Sequence, residues 1–462
     1  MSTLFDAMNA SGTTTNGAVT NISSLNKNVD LFFLAGASRG KDITPTFAGA
    51  LAEDTEVAVR ILQWARDARG GAGERNTFRQ LFGYLIKTEL ELARRVLPKV
   101  SELGRWDDLL ITVGTNLEKD AFDLIANALV VEKNGLCAKW MPRQGEVAAK
   151  IRNHMKYSPK AYRKLLVGLS NTVEQKMCAQ DWANIEYAHV PSVAAARYQK
   201  AFLKHDNIGY TAYKNALVAG TATINASAIF PYDVIRALRN GDTTVASAQW
   251  SALPDYLDAT KERILPVVDV SGSMGVAVSG SVTAMDVAIS LGLYLSERNT
   301  GVFKDKFITY SENPKIQSVS GDLTHRYNQM QRADWGMSTN IAAVFDQILS
   351  AAITHKVSED QMPTKVLILS DMEFNQCIRG QNSVSAFSYI QRSYQDAGYN
   401  VPQLVFWNIN GRAGNSPVRY DETGTALVSG FSPSIVKSVL GGDDLTPLNV
   451  MLKTVMTQRY DF

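Results

Sequence analysis

Four short apolar runs in the second half of the chain constrain its fold more than any other feature. They are RILPVVDV from residue 263, KFITYS from 306, KVLILSD from 365 and PQLVFWNI from 402. None alternates apolar with polar, so each reads as a strand buried on both faces. Between them AMDVAISLGLYLSERN (from 284) and NIAAVFDQILSAAITHK (from 340) space their apolar residues as amphipathic helices do. Strands alternating with helices predict a doubly wound, Rossmann-like α/β domain with a mostly parallel sheet. ALVSG at 426–430 is a further strand candidate, followed by helical SPSIVKSVLG and LTPLNVMLKTVMTQ. The domain is expected over 256–462, with TTVASAQWSALPDYLD as the connection before it.

Residues 1–255 read differently. TEVAVRILQWARDAR, ERNTFRQLFGYLIKTELELARRVLPKV, DAFDLIANALVVEKN, SPKAYRKLLVGLSNTV and VPSVAAARYQKAFLKH all carry helical apolar spacing. Pro98, Gly104, Gly135, Pro142, Pro159 and Pro191 fall between or at the ends of these pieces and are expected as helix boundaries. A succession of helices without strands predicts an α-helical solenoid or irregular bundle, with no strict sequence period. The fold class is therefore α followed by α/β, and 462 residues suit two or three domains of roughly 150 residues.

Composition narrows the function classes. Three cysteines (Cys137, Cys178, Cys377) are too few and too scattered for a disulfide framework. Five histidines without a Cys-x-x-Cys pair give no zinc spacing. The start of the chain lacks the charge and apolar pattern of a signal peptide, and no apolar run reaches the ~18 residues of a membrane span, so a cytoplasmic location is expected. The net charge of +2 hides an asymmetry: residues 1–250 hold 30 Lys/Arg against 24 Asp/Glu, and 251–462 hold 17 against 21. From Lys133 to Lys176 ten basic residues face only Glu146 and Glu174. That concentration is a phosphate-attracting footprint or a solvated helical face.

Ligand sites of open α/β sheets lie at the carboxyl ends of the strands. Those ends carry Asp269-Val-Ser271-Gly-Ser273, then Thr339 before a helix, then Ser370-Asp371. Two carboxylates with three hydroxyls and no nitrogen or sulfur suit one hard divalent cation, Mg²⁺ or Mn²⁺, bound by Asp269, Ser271, Ser273, Thr339 and Asp371. Gly272 is expected to let the backbone turn so that both serine hydroxyls point inward. Glu373 stands two residues past Asp371, where a base on metal-bound water could sit, but no nucleophile, paired acid and base or P-loop accompanies it. No enzymatic activity is expected, and no nucleotide cofactor.

The Asp-x-Ser-x-Ser, distant Thr and later Asp resemble the metal-ion-dependent adhesion site (MIDAS) of von Willebrand factor A domains. The resemblance implies Ser271, Ser273 and Thr339 as direct ligands, Asp269 and Asp371 bound directly or through water, and a sixth position for a carboxylate or phosphate. A helical first half before such a domain is the layout of the TROVE proteins, the Ro ribonucleoproteins. NVDLFFLAG, RDARGGAGERNTFR, GRWDDLL, KWMP, WANIEYAHVPSVA, FITYSENP and LVFWNINGR look closer still to an uncharacterised TROVE-like family. This chain is shorter than a typical Ro protein. The resemblance implies HEAT-like repeats forming a solenoid or ring whose basic surface takes small structured or misfolded RNA.

On that reading the RNA-binding candidates are Arg66, Arg69, Arg75 and Arg79 around Gly70-Gly71, with Lys139, Arg143, Lys150, Arg152, Lys156, Lys160, Arg163 and Lys164. The first four could instead cap helices or pair with Asp67 and Glu74. Trp106, Trp140 and Trp182 read as core more readily than as base-stacking platforms. His154, His189 and His205 read as structural or surface groups. Three functions compete: an RNA-binding Ro-like protein; a protein-interaction adaptor, for example for a MoxR-type AAA+ ATPase, whose ion grips an acidic side chain; and a metal-dependent hydrolase, against which the lack of a nucleophile or an acid and base pair argues. No membrane partner is expected.

Overall fold

A computed structural model describes residues 11–226, 228–239, 243–258, 260–310, 314–333, 340–374, 386–440 and 444–462. The chain forms two compact units, Met1–Ile61 with Ile229–Arg459, and Leu62–Ala228 with Tyr460–Phe462. The unit that holds the sheet therefore also takes in residues well before 256, where a single cut was expected.

Among the described residues the first unit begins with a hairpin, β1 (Ser11–Thr13) and β2 (Val19–Asn21). Its main strands are β3 (Ile264–Val268), β6 (Lys306–Thr309), β7 (Ile316–Ser318), β8 (Lys365–Ser370), β9 (Gln403–Asn408) and β10 (Thr425–Ser429), with β4 (Ala277–Ser279) and β5 (Val282–Thr283) as a separate antiparallel pair. The six form one mixed sheet in the order β10-β9-β8-β3-β6-β7. All pairings are parallel except β6 with β7. Every residue of β3, β8 and β10 is buried, as their unbroken apolar runs require. β7 was not anticipated: Ile-Gln-Ser is three residues long and half exposed at an edge, where periodicity carries almost no signal.

Helices supply the cover. Ala284–Arg298 opens with a capping box between Thr283 and Asp286, buries eleven of its fifteen residues and packs on β3, β6 and β8. It sits so close to β3 that a Cβ at Gly292 would lie 2.4 Å from Val268 Cγ2. Lys27–Ala35 and Pro447–Val455 both pack on β10. The first ends where Gly36 meets the sheet, its N–H donating to Ser429 Oγ, and a Cβ there would stand 2.6 Å from the Ser429 carbonyl oxygen. That contact explains why residues 27–35 belong with the sheet.

The second unit is helical, with helices of six residues (Gly135–Trp140) to fourteen (Arg75–Thr88) and a 3₁₀ stretch at Trp106–Thr112. Proline and glycine mark most ends as expected: Pro159 is the first residue of Pro159–Leu169, and Gly104 caps Leu90–Leu103. Pro98 does not. It lies inside Leu90–Leu103, where buried Leu97, Val100 and Leu103 carry the helix past the lost hydrogen bond. Among the described residues no helix is long and apolar enough to cross a membrane.

Candidate functional site

Parallel pairing of β3 with β8 sets Val268 level with Leu369, so the two chains leave the sheet side by side. Asp269 N–H donates to the Leu369 carbonyl at 2.9 Å. Its side chain is wholly buried: Oδ1 accepts from Ser271 N–H at 2.9 Å and Oδ2 from Ser370 Oγ at 2.6 Å. Ser271 Oγ and Ser273 Oγ lie 3.1 Å apart. Asp371, 1 % exposed, accepts from Glu373 N–H at 3.2 Å through Oδ1, whereas its buried Oδ2 accepts no hydrogen bond. Burial, then the charge of Asp371, pushes the Asp269 carboxyl up to about 6, and burial likewise raises Asp371.

Two buried carboxylates at adjoining strand ends, with one oxygen unsatisfied and two hydroxyls beside them, make an arrangement that a cation would relieve. The donors are all oxygen, so the fit is to Mg²⁺ or Mn²⁺ and not to zinc. No group of three His, Cys, Asp or Glu among the described residues is arranged to hold a metal. The structure brings Asp269, Ser271, Ser273 and Asp371 to the same end of the sheet, and Thr339 lies outside the described residues. The role expected of Gly272 is not needed. It opens a 3₁₀ turn, Gly272–Gly275, outside the left-handed region, and a Cβ there would meet nothing within 4 Å.

The surroundings of this end were not foreseen. β8 stops at Ser370, and Met372 takes a left-handed φ of +65°. Glu373 thus returns beside Asp371 through a turn and not by strand alternation. Its Oε2 accepts from Thr15 N–H at 2.8 Å, and its carbonyl accepts from Asn16 Nδ2 at 2.7 Å. The β1–β2 turn is further tied down by Thr14 Oγ1, which donates to the Phe374 carbonyl at 2.6 Å. From the loop after β9, Arg412 reaches Glu373 Oε1 at 3.4 Å and stands 4.0 Å from Asp371 Oδ2. Lys41 Nζ donates to Asn410 Oδ1 at 2.7 Å and to the Gly411 carbonyl at 2.5 Å. Partial burial of its ammonium, then the charge of Arg412, lowers the pKa of Lys41. The sequence signal for these residues is slight: a lone Arg after Asn-Gly, and a lone Lys after Arg-Gly.

In the helical unit the candidate cations separate into two sets. Arg66 is 3 % exposed and pairs with Asp108 at 2.6 Å, so it is closed to a phosphate and is withdrawn as an RNA contact. Arg79 is largely spent too, on Asp108 at 2.7 Å and Asp107 at 3.1 Å. These partners are some 30–40 residues away in sequence, unlike the Asp67 and Glu74 considered above. Arg69 is exposed and donates to the Glu102 carbonyl; Arg75 is exposed. Lys150 pairs with Glu118 at 3.2 Å, Arg143 donates to Ser170 Oγ at 3.2 Å, and Lys139 lies 5.6 Å from the Trp140 ring centre. Lys156, Lys160, Arg163 and Lys164 are exposed on and before Pro159–Leu169, and Arg152 is half-buried. None of these five makes an ion pair among the described residues.

Trp106, Trp140 and Trp182 are half-buried and not core. The guanidinium of Arg105 lies 3.8 Å over the Trp140 ring, and Trp182 stacks on His205 with centroids 4.5 Å apart. His154 and His189 have partners that sequence did not reveal, Asp123 at 2.8 Å and Glu186 at 2.7 Å.

Comparison with known proteins matches two regions of the chain, with bounds that differ from those of the two compact units. Residues 263–458 match a family described as a domain of unknown function, DUF7788, and residues 123–262 match another, DUF2828. The junction falls one residue before β3. Uncharacterized protein L728 of Acanthamoeba polyphaga mimivirus is 29 % identical over 487 residues, spanning 92 % of this chain and 83 % of the viral protein.

Proposed function

We propose that this chain is a metal-binding, Ro-like RNA-binding protein: a HEAT-like helical unit that grips RNA phosphates, and a von Willebrand factor A-type unit with a MIDAS cation. The observation that carries the RNA reading is the row Lys156, Lys160, Arg163 and Lys164, four exposed cations in nine residues without a carboxylate partner among the described residues. Unpaired surface cations in a row raise the local potential and select a polyanion. The metal reading rests on the unsatisfied Asp371 Oδ2 beside buried Asp269. Asp269, Ser271, Ser273, Asp371 and Thr339 would hold Mg²⁺ or Mn²⁺, and the ion would offer a Lewis-acidic position to an anionic ligand.

Binding of a small structured RNA to the unmodified protein and to an Arg152→Glu, Lys156→Glu, Arg163→Glu variant tests this. Each lost contact and new repulsion contributes on the order of 1 kcal/mol, so the variant should bind at least ~100-fold more weakly. Absence of RNA binding at low salt in the unmodified protein would favour the adaptor reading, in which the ion grips an acidic side chain of a partner such as an AAA+ ATPase.

A further inference from the structure

We propose that Arg412 and Lys41 form, with the ion, a site for a phosphate monoester, so that the ligand at the sheet end is a phosphate and not a lone carboxylate. The inference rests on the metal reading above and names its ligand. Arg412 is over a third exposed and approaches Glu373 through one terminal nitrogen. Its other terminal nitrogen, 4.0 Å from Asp371 Oδ2, is too far for a hydrogen bond and remains available. Lys41 spends two of its three N–H groups on Asn410 Oδ1 and the Gly411 carbonyl, which fixes the ammonium at the loop that carries Arg412. The charges of Arg412 and Asp371 both reach that ammonium.

The donors, not the charge count, separate the two anions. Three acids (Asp269, Asp371, Glu373) face two cations (Lys41, Arg412), so a divalent ion leaves one positive charge in excess, which a carboxylate alone would neutralise. A carboxylate on the ion would leave the free guanidinium and ammonium donors without a partner. A phosphate monoester, with two charges and three acceptor oxygens, can place one oxygen on the ion and present the others to Arg412 and Lys41. The placement is built: Gly411 N–H donates to the Ala37 carbonyl at 2.9 Å, which ties the loop after β9 to the segment leading to Lys41. Within the RNA reading the source of the phosphate is a terminal 5′-phosphate, and a small phosphate ester shares its chemistry.

The 462-residue chain, loaded with Mg²⁺, is titrated with methyl phosphate, with acetate, and with one short RNA bearing a 5′-phosphate or a 5′-hydroxyl. Arg412→Gln and Lys41→Met are compared, and Mn²⁺ affinity is measured for each variant as a check on fold and ion. Methyl phosphate should bind more tightly than acetate, about 10-fold more weakly in Arg412→Gln and several-fold more weakly in Lys41→Met, with Mn²⁺ affinity not reduced, since each variant removes a cation near Asp371. A preference for the 5′-phosphorylated RNA that vanishes in Arg412→Gln assigns the phosphate to an RNA end. Arg412-dependent methyl phosphate binding without that preference supports the site and assigns it to a small ester. Normal Mn²⁺ uptake with methyl phosphate affinity unchanged in both variants, or with acetate bound as tightly, overturns the phosphate assignment alone. No Mn²⁺ uptake by the unmodified protein overturns the metal reading and this one with it.

Discussion

Ser370 Oγ donates to Asp269 Oδ2 at 2.6 Å, joining the last residue of β8 to the first residue beyond β3. Asp371, next in sequence, has a buried oxygen that accepts no hydrogen bond. One aspartate is oriented by the neighbouring strand and the other is left to a ligand. Asp371→Asn should therefore abolish Mn²⁺ binding while the protein still unfolds cooperatively. Asp269→Ala should do the same. Calorimetry with unchanged Mn²⁺ affinity in either variant would refute the assignment.

The pH dependence of the metal-free protein follows from the same pair. Asp269 has a folded value of about 6, above the ~3.9 of an unfolded aspartate. The native state therefore holds this proton more tightly than the unfolded state. Its contribution is most favourable at low pH and is lost as pH rises from about 4 through 6, by on the order of 3 kcal/mol. Urea midpoints of the metal-free protein at pH 5 and 8 should show about half of this loss, ~1.4 kcal/mol, since the rest falls below pH 5, and Asp269→Asn should lessen it. Mn²⁺, which favours the ionised carboxylate, should restore the stability of the unmodified protein at pH 8.

The helical unit depends on a different buried charge. Asp108 is wholly buried and takes Arg66 on one oxygen and Arg79 on the other. Asp108→Asn leaves the Arg66 guanidinium buried beside a neutral amide and should cost about 3–5 kcal/mol. Denaturant unfolding measures this, and a loss below ~1 kcal/mol would show that solvent reaches Arg66 in the native state.

How far the sequence could be read depends on the range of the interactions. β3, β8 and β9 were legible because strands buried on both faces must be apolar throughout, and Asp269 and Asp371 were legible as polar residues ending such runs. β7 and the β1–β2 hairpin were not, since each strand has three residues and its pairing is decided by neighbours elsewhere. Arg412 and Lys41 are some 370 residues apart in sequence, and only the fold brings them to one loop. The pairing of Arg66 with Asp108 was hidden for the same reason, while nearer acids offered plausible partners. Pro98 misled because a helix with enough buried side chains tolerates the lost hydrogen bond.

The central claim, that the helical unit grips RNA through phosphates, is tested most directly by the salt dependence of binding to a structured RNA. Contacts from Lys156, Lys160, Arg163 and Lys164 predict that log K falls against log salt with a slope of about −3, one contact contributing roughly −0.7 to −0.9. Reversing Lys156 and Arg163 to Glu should make the slope shallower as well as weaken binding. A slope near zero in the unmodified protein, or one unaltered by the reversals, would contradict the account.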